Sequence, residues 1–178
     1  MKRFVLLLAL LLLPALAFGQ QKDATKIDKF RSKKGVTIKF IDYKLPVVES
    51  RFFPLKLTVT VFEAGDERQL FYEVYVNAAD IKDTHVAWIA EEDLSDMINA
   101  LQSLKQSAIK DAQLNPDYLE NRFVTEDGFS VGYYVSEGQP SWYFSFDEIG
   151  RGSEVFFDDV ATIENLFKQA KDKMDSLH

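Results

Sequence analysis

Two alternating runs joined by a short turn decide the fold. They read LKLTVTVFE at residues 55–63 and RQLFYEVYVN at residues 68–77, with AGDE between them at 64–67. Apolar and polar side chains alternate along both runs, which is typical of strands that bury one face. A Gly-Asp turn between two such runs predicts an antiparallel hairpin. We therefore expect a sheet built largely from antiparallel hairpins.

Shorter strands flank this hairpin, and a helix follows them. Residues 36–40 alternate in the same way, and residues 85–90 form a short apolar run typical of a strand. From Asp93, the predicted N-cap, the apolar spacing changes to that of a helix. One face of this helix carries Leu94, Met97, Leu101, Leu104 and Ala108.

The second half of the chain repeats this order of elements. Strands are predicted at 119–125, 129–136, 141–147 and 153–157. Asp158 or Asp159 is expected to cap a final helix. Its apolar face carries Val160, Ile163, Phe167, Ala170 and Met174, each 66 residues after its counterpart in the first helix. This register suggests pseudo-repeats over 35–112 and 117–178, although convergent amphipathicity explains the same pattern.

Each predicted hairpin has one oily side, which the two helices can cover. The sequence therefore predicts an α+β fold with a largely antiparallel sheet of about eight strands and two amphipathic helices on one face. A single domain over 35–178 is expected, because a chain of this length forms one core without splitting. The order of elements resembles that of saddle-shaped duplicated folds such as the TATA-binding protein, as an architectural likeness that covers no shared motif.

The first 19 residues have the pattern of a secretory signal peptide. Lys2 and Arg3 precede an apolar run over 4–18, and small residues precede an expected cleavage site before Gln20. The run is short for a membrane span, although an uncleaved anchor is the alternative. We expect an exported protein, periplasmic or extracellular and most readily bacterial, without a transmembrane span after cleavage.

Charge is distributed unevenly along a chain whose net charge is −7. Residues 22–44 carry eight Lys or Arg and three Asp, whereas residues 45–178 carry eleven Lys or Arg and twenty-five acids. We predict a basic, flexible arm over 20–34 on an acidic body. The arm either contacts an anionic surface or folds back on its own domain. The acidic body argues against a nucleic-acid partner and against the DNA-binding use of a saddle.

Residue types needed for common chemistry are scarce. The chain has no cysteine, which excludes disulfides, thiolate metal sites and a cysteine nucleophile. His85 and His178 are the two histidines, too few for a histidine-rich metal centre. We therefore predict no cofactor, no metal site and no enzymatic activity. The alternative is a hydrolase that uses paired carboxylates such as Glu73 with Asp147.

The sheet face opposite the helices is the predicted functional surface, because its side chains are mostly Ser, Thr, Gly and Tyr. Tyrosine supplies large contact area with few rotors, and small residues let a partner approach. The candidate contact residues are Thr58, Thr60, Glu73, Tyr75, Tyr134 and Tyr143. Residues 118–134, with Glu120 and Arg122, are a candidate ligand-facing rim.

These patterns predict a non-catalytic binding module for a protein, peptide or small ligand. Two alternatives stay open. The tyrosine-rich face is an ordinary solvent face of a sheet, or the protein carries a small apolar ligand between its sheet and helices.

Overall fold

Nine strands form two antiparallel sheets in the computed structural model, which describes residues 24–76, 84–146 and 153–178. The predicted signal peptide over 1–19 lies outside these ranges. The first sheet contains β1 (Ile38–Lys44), β2 (Val48–Glu49), β3 (Pro54–Ala64), β4 (Glu67–Val76) and β5 (His85–Ala90). The second contains β6 (Leu119–Val124), β7 (Ser130–Ser136), β8 (Gln139–Ser145) and β9 (Glu154–Phe157). The helices are α1 (Lys26–Arg31), α2 (Glu91–Asp111) and α3 (Val160–Asp175).

Each half of the chain is a four-stranded meander followed by a helix. The strand order is β1-β3-β4-β5 in the first sheet, with β2 paired to the start of β3, and β6-β7-β8-β9 in the second. Every pairing is antiparallel, so the predicted α+β class with antiparallel strands is confirmed. The strands lie in two sheets, because β5 leads into α2 and β6 then starts a new ladder.

Two-residue turns join the central hairpins, and their backbones need positive φ. Gly65 follows β3 with φ 60°, as the Gly-Asp turn predicts. Glu137 and Gly138 link β7 to β8 with φ values of 52° and 72°, the arrangement of a type I′ turn. The predicted four-residue turn over 137–140 is therefore shorter, and Pro140 lies inside β8 opposite Val135.

The two long helices run antiparallel and cover the inner faces of both sheets. Lys105 of α2 pairs with Glu164 of α3, whereas Glu91 at the start of α2 contacts His178 after the end of α3. The predicted helix faces are buried except for the partly buried Val160. They share one core with inner-face residues of both sheets, such as Val59 and Phe144.

The two sheets are also tied together at the corner between β2 and β3. The Arg51 backbone N–H donates to the Phe156 carbonyl oxygen at 2.8 Å. The Arg51 side chain donates from Nη2 to the Phe157 carbonyl at 3.2 Å and from Nε to Asp158 at 2.9 Å. Arg51 thus joins the edge of the first sheet to β9.

Part of the segment predicted to be a flexible arm is ordered, which corrects that expectation. Thr25 and Asp28 form a capping box at the start of α1. Ile27 and Phe30 of this helix are buried against Phe62 and other apolar residues on the outer face of the first sheet. From residue 24 onward the arm folds back on its own domain, because its helix carries two apolar side chains on one face.

The two predicted helix caps have different outcomes. Asp159 caps α3 by accepting a hydrogen bond from the Thr162 backbone N–H at 2.7 Å, as expected. Asp93, predicted as the N-cap of α2, is instead the third residue of that helix, and Ala90 is the N-cap. The Asp93 carboxylate is buried and accepts a hydrogen bond from Lys26 Nζ at 2.7 Å. Tertiary pairing with α1 therefore replaces the local capping role.

Candidate functional site

The six predicted contact residues lie on the outer sheet faces, which point away from α2 and α3, but they divide between the two sheets. Thr58, Thr60, Glu73 and Tyr75 belong to the first sheet. Tyr134 and Tyr143 belong to the second. The structure therefore places two separate surfaces where the sequence predicts one.

The outer face of the first sheet is partly closed. Thr60 is only 1% exposed and donates a hydrogen bond to Asp42 Oδ1 at 2.8 Å, so it is not available as a contact residue. Thr58 lies opposite the half-buried Glu73. Burial, and secondarily the Asp42 carboxylate, raise the pKa of Glu73. This corner is a small acidic patch and not an open tyrosine surface.

Tyr75 lies at the other end of this face. It is opposite Lys56, whose Nζ is 5.5 Å from the Tyr75 ring centroid. The half-buried phenol thus has a cation over its ring. Tyr75 is the aromatic contact candidate that the first sheet offers among the predicted residues.

The outer face of the second sheet carries a connected cluster, which we call the tyrosine platform. Its members are Tyr118, Glu120, Arg122, Tyr134, Tyr143 and Phe156. Cross-strand pairing aligns them, since Glu120 lies opposite Tyr134 and Tyr143 lies between Gly132 and Phe156. Four of the six flank or belong to the segment 118–134 that the sequence marks as a rim.

Tyr143 forms the base of the platform, which corrects its predicted role as a contact residue. It is fully buried. The Tyr134 ring stacks on it with 4.6 Å between centroids and 19° between planes, and the Phe156 ring lies 6.0 Å away. Tyr134 is half-buried and Tyr118 is 65% exposed. A partner can therefore touch Tyr118 and Tyr134, while Tyr143 supports them.

Glu120 is held by two tyrosine hydroxyls. Its Oε1 accepts a hydrogen bond from the Tyr143 hydroxyl at 2.5 Å, and its Oε2 accepts one from the Tyr118 hydroxyl at 2.8 Å. The Arg122 Nε lies 3.5 Å from Oε1, beyond the usual length of a strong hydrogen bond. The carboxylate is thus fixed in position by neutral donors on both oxygens.

Gly132 explains why this arrangement is possible. A Cβ atom at residue 132 would lie 2.5 Å from the Asn121 carbonyl oxygen and 2.6 Å from the Arg122 Cβ. Only a residue without a side chain lets β6 come this close. The glycine therefore positions Arg122 and, with it, the neighbouring Glu120.

The pKa values of the three platform tyrosines are raised, mainly by desolvation. Desolvation and the hydrogen bond to Glu120 raise the pKa of Tyr118 to about 12. Desolvation, Glu120 and Glu154 raise the pKa of Tyr134, and Arg122 opposes this change. Desolvation and Glu120 likewise raise the pKa of Tyr143. All three phenols therefore stay protonated at neutral pH, and those of Tyr118 and Tyr143 donate hydrogen bonds to Glu120.

Sequence reasoning missed Phe156 as part of this surface. The alternation in the short strand β9 could have identified it, because Val155 and Phe157 are buried in the core and Phe156 between them points outward. Cross-strand pairing with Tyr143 then places it beside the tyrosines. The partner strand of β9 cannot be read from the sequence alone.

Apart from the platform, the structure has a groove between the end of α2, the start of α3 and the β7–β8 turn. This groove has a volume of about 550 Å³, and its apolar lining includes Ala108, Ile109, Pro140, Trp142 and Val160. Ile109 is 69% exposed. The groove lies at the edge of the helical layer and the second sheet.

Three other features named in the sequence analysis are a hydrolase pair, a metal site and a membrane span. Asp147, the suggested partner of Glu73 in a hydrolase, lies outside the described residues. Within the described ranges, no three His, Asp or Glu side chains are arranged to hold a metal ion.

None of the helices in the described ranges is both long enough and apolar enough to cross a membrane.

Comparisons with known proteins do not add a family. No protein-family model, curated protein or solved structure matches the chain.

Proposed function

We propose that this chain is an exported, non-catalytic binding module whose partner contacts the tyrosine platform of the second sheet. The observation that carries the proposal is the exposed Tyr118 beside the stacked Tyr134, both next to a Glu120 carboxylate that is fixed by two hydroxyls. Binding costs less when contact groups are already held in place. Tyrosines of this kind are enriched where protein partners bind.

Export is part of the proposal and rests on the sequence. Residues 1–19 have the charged start, apolar run and small residues of a secretory signal. Processing is tested by N-terminal sequencing of the protein recovered from its host, with Gln20 expected as the first residue.

The binding proposal is tested by affinity capture. The purified protein is immobilised and incubated with envelope and soluble extracts, and the eluate is analysed by mass spectrometry. We expect a partner that is lost when Tyr118→Ser and Tyr134→Ser are combined. Ile109→Ser is the matched control, because it also removes an exposed apolar side chain but lies in the separate groove. A partner retained by the double variant would contradict the platform as the binding surface.

A second candidate function is the binding of a small apolar ligand in the groove. Its volume of about 550 Å³ lies within the range of known ligand pockets, and its lining is largely apolar. If the groove is the functional site, Ile109→Ser should abolish a co-purifying lipid or other small molecule. The double tyrosine variant should retain that ligand.

A further inference from the structure

We propose that the partner presents a basic side chain, arginine or lysine within a peptide segment, to the tyrosine platform. This inference rests on the proposed function and adds the chemical class of the partner. The cation would lie against the rings of Tyr118 and Tyr134, with its charge directed at Glu120.

The first argument is the unused acceptor capacity of Glu120. A carboxylate has about four acceptor positions. The contacts of Glu120 use one on Oε2, from Tyr118, and two on Oε1, from Tyr143 and the more distant Arg122. Among the described residues, one acceptor position on Oε2 is therefore left for an incoming donor. The Glu120 side chain is 24% exposed, so such a donor can reach it.

The second argument is that the nearest donors to Glu120 are neutral and that negative groups outnumber positive ones beside the platform. Two of its three donors are neutral phenols, and the guanidinium Nε of Arg122 is 3.5 Å away. Burial is the main cause of the raised pKa of Tyr134, and a hydrogen bond with Tyr143 opposes it. The charges that act on Tyr134 are two carboxylates, Glu120 and Glu154, and one guanidinium, Arg122. The field at the surface of the platform thus favours a positive group.

The third argument is the pair of aromatic rings beside the carboxylate. The Tyr118 and Tyr134 centroids are 5.7 Å apart, and their planes are inclined by 43°. Tyr118 is 65% exposed, so its ring is open to a guanidinium or ammonium group, which aromatic rings attract through their quadrupole. A carboxylate next to two ring faces suits a cation better than an anion or an apolar group.

The fourth argument is long-range charge complementarity. Residues 45–178 carry twenty-five acids and eleven Lys or Arg. In addition, the basic residues Lys26, Lys33 and Lys39 of the N-terminal segment pair with acids of the same chain. A body with this excess of negative charge attracts basic partners and repels acidic ones.

The experiment uses a defined probe. Acetyl-triarginine amide is titrated into the isotope-labelled protein, and amide chemical shifts are followed by NMR at low salt. We expect shifts centred on residues 118–122 and 132–136, and no binding of acetyl-triglutamate amide. Glu120→Gln should weaken binding by about tenfold. Asp66→Asn is the control, because it removes an equal charge from the exposed β3–β4 turn of the other sheet.

Two variants at Tyr118 keep the test valid if Glu120→Gln unfolds the platform. Tyr118→Ser removes an exposed ring, and Tyr118→Phe keeps the ring but loses the hydroxyl that donates to Glu120. Tyr118→Ser should weaken binding severalfold, whereas Tyr118→Phe should retain most of it. Each variant is first checked by thermal unfolding.

The outcomes separate this inference from the proposed function. Absence of binding, equal binding of the acidic peptide, or equal weakening by Asp66→Asn and Glu120→Gln would each overturn the basic partner. Capture of a carbohydrate through the platform would overturn it as well. In these cases the proposed binding function would still be judged by whether the tyrosine variants lose the captured partner.

Discussion

At the scale of single residues, a glycine determines the geometry of the platform. Gly132 leaves no room for a Cβ atom between β7 and the backbone of β6. The close strand approach brings Arg122 and Glu120 to the tyrosines. A strand glycine, which weakens most strands, is here required by its neighbours.

Gly132→Ala should lower the free energy of unfolding by about 1–3 kcal/mol, because the new methyl group overlaps backbone atoms. Urea denaturation measures this change. The control is Ser130→Ala in the same strand, which removes a buried hydroxyl with no hydrogen-bond partner among the described residues and should be neutral or slightly stabilising. Equal stability of Gly132→Ala and the unmodified protein would show that the strands can separate without cost.

At the scale of elements, the helices start in different ways. The side chain of the N-cap residue Asp159 caps α3. The N-cap residue of α2 is Ala90, whose side chain makes no capping hydrogen bond. Acidic residues in the first turn of α2 compensate, since they interact with the positive end of the helix dipole. Asp93 among them also binds Lys26 and so attaches α1.

The cap of α3 predicts a pH dependence. Hydrogen bonds from Thr162 lower the pKa of Asp159 below its usual value of 3.8. A lowered folded-state pKa means that the stabilisation is complete above the unfolded value and is lost as the pH falls through the folded value. Asp159→Ala should therefore cost about 1 kcal/mol at pH 7, and this cost should shrink towards pH 2.5.

Urea titrations at both pH values measure this difference. Asp159→Asn is the matched variant, since it keeps an acceptor but does not titrate. A cost for Asp159→Ala that is the same at both pH values would show that the charge of Asp159 plays no part in capping.

If α1 is packed on the sheet, removing a buried side chain from it should lower the free energy of unfolding, whereas the same change in a flexible arm should not. Phe30 is 3% exposed and packs edge-on to Phe62, with 5.7 Å between centroids. Phe30→Ala should lower the free energy of unfolding by about 2–4 kcal/mol. The exposed neighbour Lys29 is the control, and Lys29→Ala should change little. Hydrogen exchange in 26–31 as fast as in an unstructured peptide would contradict the packed helix.

At the scale of the whole molecule, the two sheets share one core through α2 and α3. We therefore expect one cooperative unfolding transition. The chain provides a natural test, because Trp88 lies in the first sheet and Trp142 in the second. Trp88→Phe and Trp142→Phe each leave one fluorescent reporter. The unfolding midpoint by fluorescence in each variant should coincide with its midpoint by circular dichroism, and separate midpoints would show two independent units.

The sequence predicts those parts of this fold that depend on local patterns. The stripe from Leu94 to Ala108 and the hairpin over 55–76 follow from spacing and turn residues, and both match the structure. The division into two sheets depends on which distant strands pair, and spacing does not encode this.

The same distinction holds for the candidate site. Tyr134 is identified by its place on an alternating strand. The burial of Tyr143 and Thr60 depends on neighbours from other strands, such as Phe156 and Asp42. Local alternation gives the face of a residue but not what covers it.

The hydrogen bonds from Arg51 to the residues of β9 and to Asp158 can form only late in the synthesis of the chain. These three hydrogen bonds reach residues more than one hundred positions later in the chain. The ribosome adds about 5–20 residues per second, so these partners of Arg51 become available only several seconds after Arg51 itself has been synthesised. During that interval most of the chain is without its finished core.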